Sequence, residues 1–226
     1  IRIVRRDSGD DSHILLVVRD DARRSDVLYG VPDTTYQAYN TFGGKSLYDD
    51  KASGANTVDG TPRAVKVSFD RPYSQPHETL QHDWYTRADI AAVSWLERSG
   101  YDVAYTADST LERNPARVLD HRIFWTGSHD EYWSAGMRTA LEQARDRGVD
   151  LFFAGANEIY WKIRFEPSPV TGAQDRVVVC YKSTQSGPAD PSGIPTGTWR
   201  DPAGANKPEN ALLGQQYIGQ KAFDWY

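Results

Sequence analysis

Short apolar runs alternate with helically spaced ones along the first two thirds of the chain. "HILLVVRD" (13–20) and "SDVLYGVP" (25–32) read as strands, and a polar, glycine-containing excursion follows from Thr34 to about Ser74. A loop of that length inside a compact domain is usually functional. From Asp83 to Ser99 the positions Trp84, Ala88, Ala91, Ala92 and Trp95 recur at helical spacing, and Gly100 supplies the stop. "YDVAYTA" (101–107) predicts a strand and Leu111 to Leu119 a short helical segment. "HRIFWTG" (121–127), β-branched and aromatic, suits a buried strand. A second helix runs from about Trp133 to Arg147, striped by Met137, Leu141 and Ala144 and stopped by Gly148, before "VDLFFAG" (149–155) completes a strand–helix–strand unit.

This alternation predicts an α/β fold with a mostly parallel sheet flanked by helices. Beyond Asn157 the pattern changes: "IYWKIRF" and "DRVVVCYK" read as an antiparallel ribbon, and Ser183 to Lys207, rich in Pro, Gly and Asp, as surface loop. Residues 1–226 read as one globular unit able to bury a full core. The chain begins without Met or a signal-like apolar region and ends in "QKAFDWY", so the expectation is a part of a longer polypeptide.

Composition narrows the partners. A hydrophobic fraction of 39% with 13 Tyr, 7 Trp and 7 Phe argues against disorder, and the apolar runs are too short to cross a bilayer. A net charge of −5 without a Lys/Arg block disfavours nucleic acid and anionic membranes. The single cysteine, Cys180, excludes an internal disulfide and a Cys-based zinc site but not either a cytoplasmic or an exported location.

In an open α/β sheet ligands bind beyond the carboxyl ends of the strands. Strand 25–32 leads into "DTTYQAYN", strand 121–127 into "SHDEYW" and strand 149–155 into "ANEIYW", so Tyr, His, Asn and carboxylates arrive at one edge. If the backbone stays extended, His129 and Glu131 point to one side, where a carboxylate and an imidazole can work together. The competing reading is an ordinary helix start, with Asp130 or Ser134 as cap and Glu131 complementing the dipole. Asn157 can present an amide to a ligand or make a local turn. Tyr36, Tyr39 and Tyr48 surround the Gly43–Gly44 turn, and buried rings with hydrogen-bonded hydroxyls are the ordinary explanation for each. No Gly-x-Ser-x-Gly elbow, nucleotide-binding glycine loop, His-Glu-x-x-His or EF-hand loop is present, and Cys180 lies in a predicted strand without a base. A metal here would use Tyr and Glu oxygens with one His, which suits a hard cation such as ferric iron.

The segments "TTYQAYNTFGGKSLY" (34–48), "VSFDRPY" (67–73), "WLERSGYDVAY" (95–105), "GSHDEYW" (127–133), "GANEIYWKIRF" (155–165), "CYK" (180–182) and "GTWRDP" (197–202) resemble, in order, the large (beta) subunit catalytic domain of N,N-dimethylformamidase and its relatives. The resemblance covers about residues 25–220 and is most specific at His-Asp-Glu-Tyr-Trp and Ala-Asn-x-x-Tyr-Trp. It implies a class I glutamine-amidotransferase/flavodoxin-like fold and a mononuclear iron (Fe3+) held by two tyrosines and one glutamate, used to hydrolyse the C–N bond of a small formamide. Carried onto this chain, Glu131 resembles the carboxylate ligand, His129 its partner near the site, and Asn157 a substrate-contacting or supporting amide. Tyr39 and Tyr48 match the phenolate ligands, with Tyr36 as the other candidate. The implied partners are a small amide substrate, other parts of the same polypeptide, a small accessory subunit or a homo-oligomer. The family's further acidic catalytic residue falls C-terminal to anything matching here, and Glu209 is a poor substitute. The rival reading is a non-catalytic binding module of a larger exported protein that meets carbohydrate through exposed Trp161 and Trp199.

Overall fold

The computed structural model describes residues 2–9, 11–13, 16–50, 52, 55–56, 63–73, 89–127, 129–183 and 187–218. An antiparallel hairpin of β1 (Arg2–Val4) and β2 (Asp11–His13) precedes the first strand of the main sheet, β3 (Val27–Val31). Of the expected strand 13–20, residues 14–15 lie outside the described ones and 16–20 are not in a strand: Leu16 and Val18 face solvent while Val17 between them packs against the core. Helix α1 (Asp33–Tyr39) starts the excursion after β3, which then carries β4 (Asp49–Asp50), β5 (Ala55–Asn56) and β6 (Lys66–Ser68). Helix α2 (Ile90–Arg98) falls within the predicted helix, whose residues 83–88 lie outside the described ones.

Next come β7 (Val103–Ala107), α3 (Asp108–Arg113), a 3-10 turn (Pro115–Asp120) and β8 (Ile123–Thr126). Trp133 belongs not to the following helix but to a short strand, β9 (Tyr132–Ser134), and α4 (Ala135–Asp146) begins where the Ser134 side chain accepts the Met137 N–H. Ser134 is therefore the cap, and neither Asp130 nor Glu131 is spent on that task. The chain continues through β10 (Asp150–Phe153), β11 (Trp161–Glu166), β12 (Val177–Val179) and α5 (Asn210–Leu213). No helix among the described residues is long and apolar enough to cross a membrane.

The main sheet runs β10-β8-β3-β7 with every neighbouring pair parallel. Alternation sends Leu28 and Phe124 to one face, against Met137 and Leu141 of α4, and Val27, Tyr29 and Val31 to the other, against Leu96 of α2. At Gly30 an added Cβ would meet the Phe124 ring at 2.8 Å, so close packing of the sheet on that ring requires glycine there. The second sheet runs β6-β12-β11-β9: β12 is antiparallel to β11, as expected of the ribbon, and also to β6, while β11 is parallel to β9. Its core gathers Leu47, Val67, Trp161, Ile163 and Val178.

The two sheets are joined by paired crossings. Residues after β8 lead into β9 and residues after β10 into β11, and both strand pairs are parallel. Ile159 N–H donates to Asp130 O and Trp161 N–H to Glu131 O, each at 2.8 Å, so the crossings are stitched where they leave the main sheet.

Candidate functional site

The main sheet has a topological switch point between β3 and β8, because α2 covers one face of the sheet and α4 the other. Segments leaving these two strands must diverge, and the crevice between them is where open α/β sheets hold ligands. Tyr39 ends the helix that follows β3, and His129 and Glu131 lie in the segment that follows β8. Glu131 is fixed by its backbone, its N–H donating to Thr35 Oγ1 at 2.9 Å and its carbonyl accepting from Trp161.

Tyr48 reaches the same place by reversal of the chain. Gly43 and Gly44 adopt φ of 84° and 97°, values that favour glycine, and Leu47 N–H then donates to Ala38 O at 2.8 Å. The Tyr39 and Tyr48 rings stack with centroids 4.7 Å apart and planes at 25°. Both hydroxyls turn to one carboxylate: Tyr39 donates to Glu131 Oε2 at 2.8 Å and Tyr48 to Oε1. Trp161 Nε1–H lies 2.9 Å from both Tyr48 Oη and Glu131 Oε1, and His129 Nε2 is 3.4 Å from Oε2. Tyr36, the alternative phenol, is directed elsewhere: it and Tyr29 donate to opposite oxygens of Asp89.

Charge states follow from these partners. Burial would raise the Glu131 carboxyl, but hydrogen bonding to His129, the charges of His129 and Lys182 and the Tyr48 hydroxyl outweigh it and leave it below the ordinary value. Burial works against a charged His129 too, yet Glu131 and the Ala156 backbone hold its pKa above the ordinary value. Tyr39 and Tyr48 are pushed far above the usual phenol range, first by burial and then by the Glu131 charge. As it stands the site is an ionised carboxylate receiving two phenol protons.

Asn157 follows β10 with φ 59°, next to Ala156, whose backbone hydrogen-bonds His129, and its buried Oδ1 has no hydrogen-bond partner among the described residues. Two residues that sequence reasoning did not assign to the site belong to it. Lys182, fully buried, donates to Leu47 O at 3.0 Å and sets Nζ 3.3 Å from the Tyr48 ring centroid and 4.5 Å from that of Trp161. Burial lowers its pKa to about 7. The only signal for it was the "CYK" segment. Trp161 was expected as an exposed sugar platform with Trp199; the structure corrects both, since they are 1% and 2% exposed and pack in the core. Cys180 is also buried, its thiol raised to about 11 by desolvation, and Glu209 is occupied by Arg200.

Among the described residues no group of three or more His, Cys, Asp or Glu side chains is placed to hold a metal. A hard cation at this junction would draw on the tyrosines: Tyr39, Tyr48 and Glu131 bring phenol and carboxylate oxygens together. The N,N-dimethylformamidase beta subunit of Alcaligenes sp is 27% identical to this chain over 85 residues, 37% of the chain and 11% of that protein. The N,N-dimethylformamidase beta subunit of Paracoccus aminophilus is 24% identical over 125 residues, 55% of the chain and 16% of that protein. The matched stretches thus span under a fifth of these curated relatives' length. The family model described as "N,N-dimethylformamidase beta subunit-like, C-terminal" matches residues 1–226, and the chain belongs to that family.

Proposed function

We propose that this chain is the metal-binding catalytic part of an amidohydrolase that cleaves the C–N bond of a small formamide-type amide, N,N-dimethylformamide to formate and dimethylamine or a close relative. Ferric iron would be held by Tyr39, Tyr48 and Glu131. The observation that carries this reading is the approach of both phenol hydroxyls to opposite oxygens of one buried carboxylate at the switch point. The donor set fits: the two phenolic protons are those a trivalent cation displaces, leaving three anionic oxygen ligands for a 3+ charge. Iron, when bound, supplies Lewis acidity that polarises a carbonyl and acidifies water.

The chain's own residues do the rest. Hydrolysis forms a C–O bond from water to the carbonyl carbon, breaks the C–N bond and sends the amine away with a proton. His129, with Nε2 3.4 Å from Glu131 Oε2, would give a proton to the departing nitrogen and regain one from the attacking water. The unpartnered Asn157 Oδ1 would serve as an orienting acceptor for the substrate or the water. Glu131 is buried and the partly buried Tyr39 and Tyr48 rings cover it, which limits competition from bulk water for the ligand oxygens. The relatives are named beta subunits, which supports other chains or further parts of the same polypeptide as partners. The finer kinship of the fold belongs to the same proposal: numbering the main-sheet strands in chain order, their spatial order is 2-1-3-4, the beginning of the flavodoxin-like 2-1-3-4-5.

Metal analysis with a visible absorption scan tests the reading. Iron-loaded protein is expected to show a phenolate-to-iron charge-transfer band and the native polypeptide to release amine from a formamide panel, while Glu131→Ala loses iron, band and activity together. Stoichiometric iron without the band would overturn the ligand assignment.

A further inference from the structure

We propose that Trp161 is a positioning residue that fixes the orientation and donor strength of Tyr48 and Glu131 through one shared indole N–H. The inference rests on the reading of those two residues as metal ligands. Trp161 grips Glu131 twice. As the first residue of β11 its backbone N–H holds the Glu131 carbonyl at 2.8 Å, and its Nε1–H lies 2.9 Å from Glu131 Oε1 and from Tyr48 Oη. The ring itself has little freedom: it lies near-parallel to Tyr132 at 6.5 Å, meets Tyr160 edge-on at 4.9 Å and has the Lys182 ammonium 4.5 Å from its centroid.

The chemistry of the donors separates their roles. Tyr39, Tyr48, Trp161 and His129 all aim a polar hydrogen or ring nitrogen at the Glu131 carboxylate. A cation held by phenolates displaces the two phenolic protons. An indole N–H is far too weak an acid to be displaced, so it remains a donor shared between a phenolate oxygen and a carboxylate oxygen. A hydrogen bond to a ligating phenolate withdraws electron density from the oxygen and limits the angles it can take, which is how supporting groups tune and orient metal ligands.

Trp161→Phe removes the N–H. A second variant carries β-(3-benzothienyl)alanine at position 161, which keeps the bicyclic shape with sulfur in place of N–H and decides the question if the Phe variant fails to fold. Each is titrated with ferric iron and scanned in the visible. The expected result is a charge-transfer band moved to longer wavelength and iron retention weaker by about 10–100-fold, with an unchanged far-ultraviolet circular dichroism spectrum for the benzothienyl variant. A wild-type protein that binds iron without any such band would overturn the ligand reading beneath the proposal. A normal wild-type band, left unmoved with unchanged iron affinity in the folded variant, overturns the role of Trp161 alone.

Discussion

Asp130 and Glu131 are neighbours in sequence, both buried, and they face opposite worlds. On the Glu131 side Tyr39, Tyr48 and Trp161 donate to the carboxylate and His129 lies beside it, so it stays charged below its ordinary pKa. On the other side Asp130 accepts from Thr126 and from Trp133 Nε1 at 2.6 Å, but it shares its surroundings with Asp108, Asp89 and Glu158. Burial and mutual repulsion raise Asp108 and Glu158 well above the carboxylate range, and Asp130 is raised with them. Alternation of an extended segment is enough to separate one ionised carboxylate from a layer that retains protons. One residue of register would exchange the two environments.

The largest effect should come from exchanging an acceptor for a donor on the charged side. In metal-free protein Glu131→Gln sets an amide N–H2 against hydrogens already aimed at that carboxylate and should cost about 2–3 kcal/mol in urea unfolding. Asp130→Asn keeps one oxygen for the Trp133 N–H and turns its N–H2 to the Thr126 hydroxyl, which can rotate to accept, and should cost about 1 kcal/mol. The reverse order would show that the two charge states are assigned the wrong way round.

An intermediate effect is expected from Asp108→Asn, which keeps an acceptor for the Thr34 hydroxyl, now 2.7 Å from Oδ2. Asp108 has a folded pKa raised above the unfolded one, so its stabilising contribution is full below the ordinary carboxylate range and fades as pH rises through the raised value. Relative to wild type, the variant should therefore gain about 1.4 kcal/mol for each pH unit over which only the folded carboxyl keeps its proton. Melting curves across neutral pH check this. A constant difference between the two proteins would mean that Asp108 titrates normally.

The smallest effect belongs to a carboxylate outside the junction. Arg164 grips Asp190 with Nε and Nη2, both at 3.0 Å, and with the Ser192 and Thr196 hydrogen bonds it overcomes burial to hold the Asp190 pKa down at about 2. A depressed pKa gives stability that is full above the unfolded value and is lost as pH falls through about 2. Asp190→Asn should cost about 1 kcal/mol at pH 7, because the Arg164 guanidinium it leaves behind is partly exposed and still paired with Glu166, and the difference should shrink in acid. An effect as large as that of Glu131→Gln would deny the junction its special status.

Much of the architecture was legible in the sequence. The period-2 and helical stripes anticipated β3, β7, β8, α4 and β10 to within a few residues, and the ribbon of β11 and β12 announced itself by its changed pattern. The failures have physical causes. Leu16 and Val18 have strand-like composition, but a strand needs a partner edge, which composition does not report. Trp133 fits a helical stripe, yet the bonds that claim its backbone come from β11, which starts 28 residues later. Tyr36 and Tyr39 sit three residues apart on α1, and one turn of helix sends one hydroxyl to Asp89 and the other to Glu131.

By itself the sequence determined the order of strands and helices, the edge at which polar residues gather and the shared side of His129 and Glu131, because these depend on local periodicity. Only the tertiary structure decided that Tyr48 returns to stack on Tyr39, that Trp161 turns its N–H inward and that Lys182 is buried over their rings. Trp161 and Lys182 lie more than a hundred residues from Tyr48, and the energies of their contacts exist only once two sheets have met and expelled the water between them.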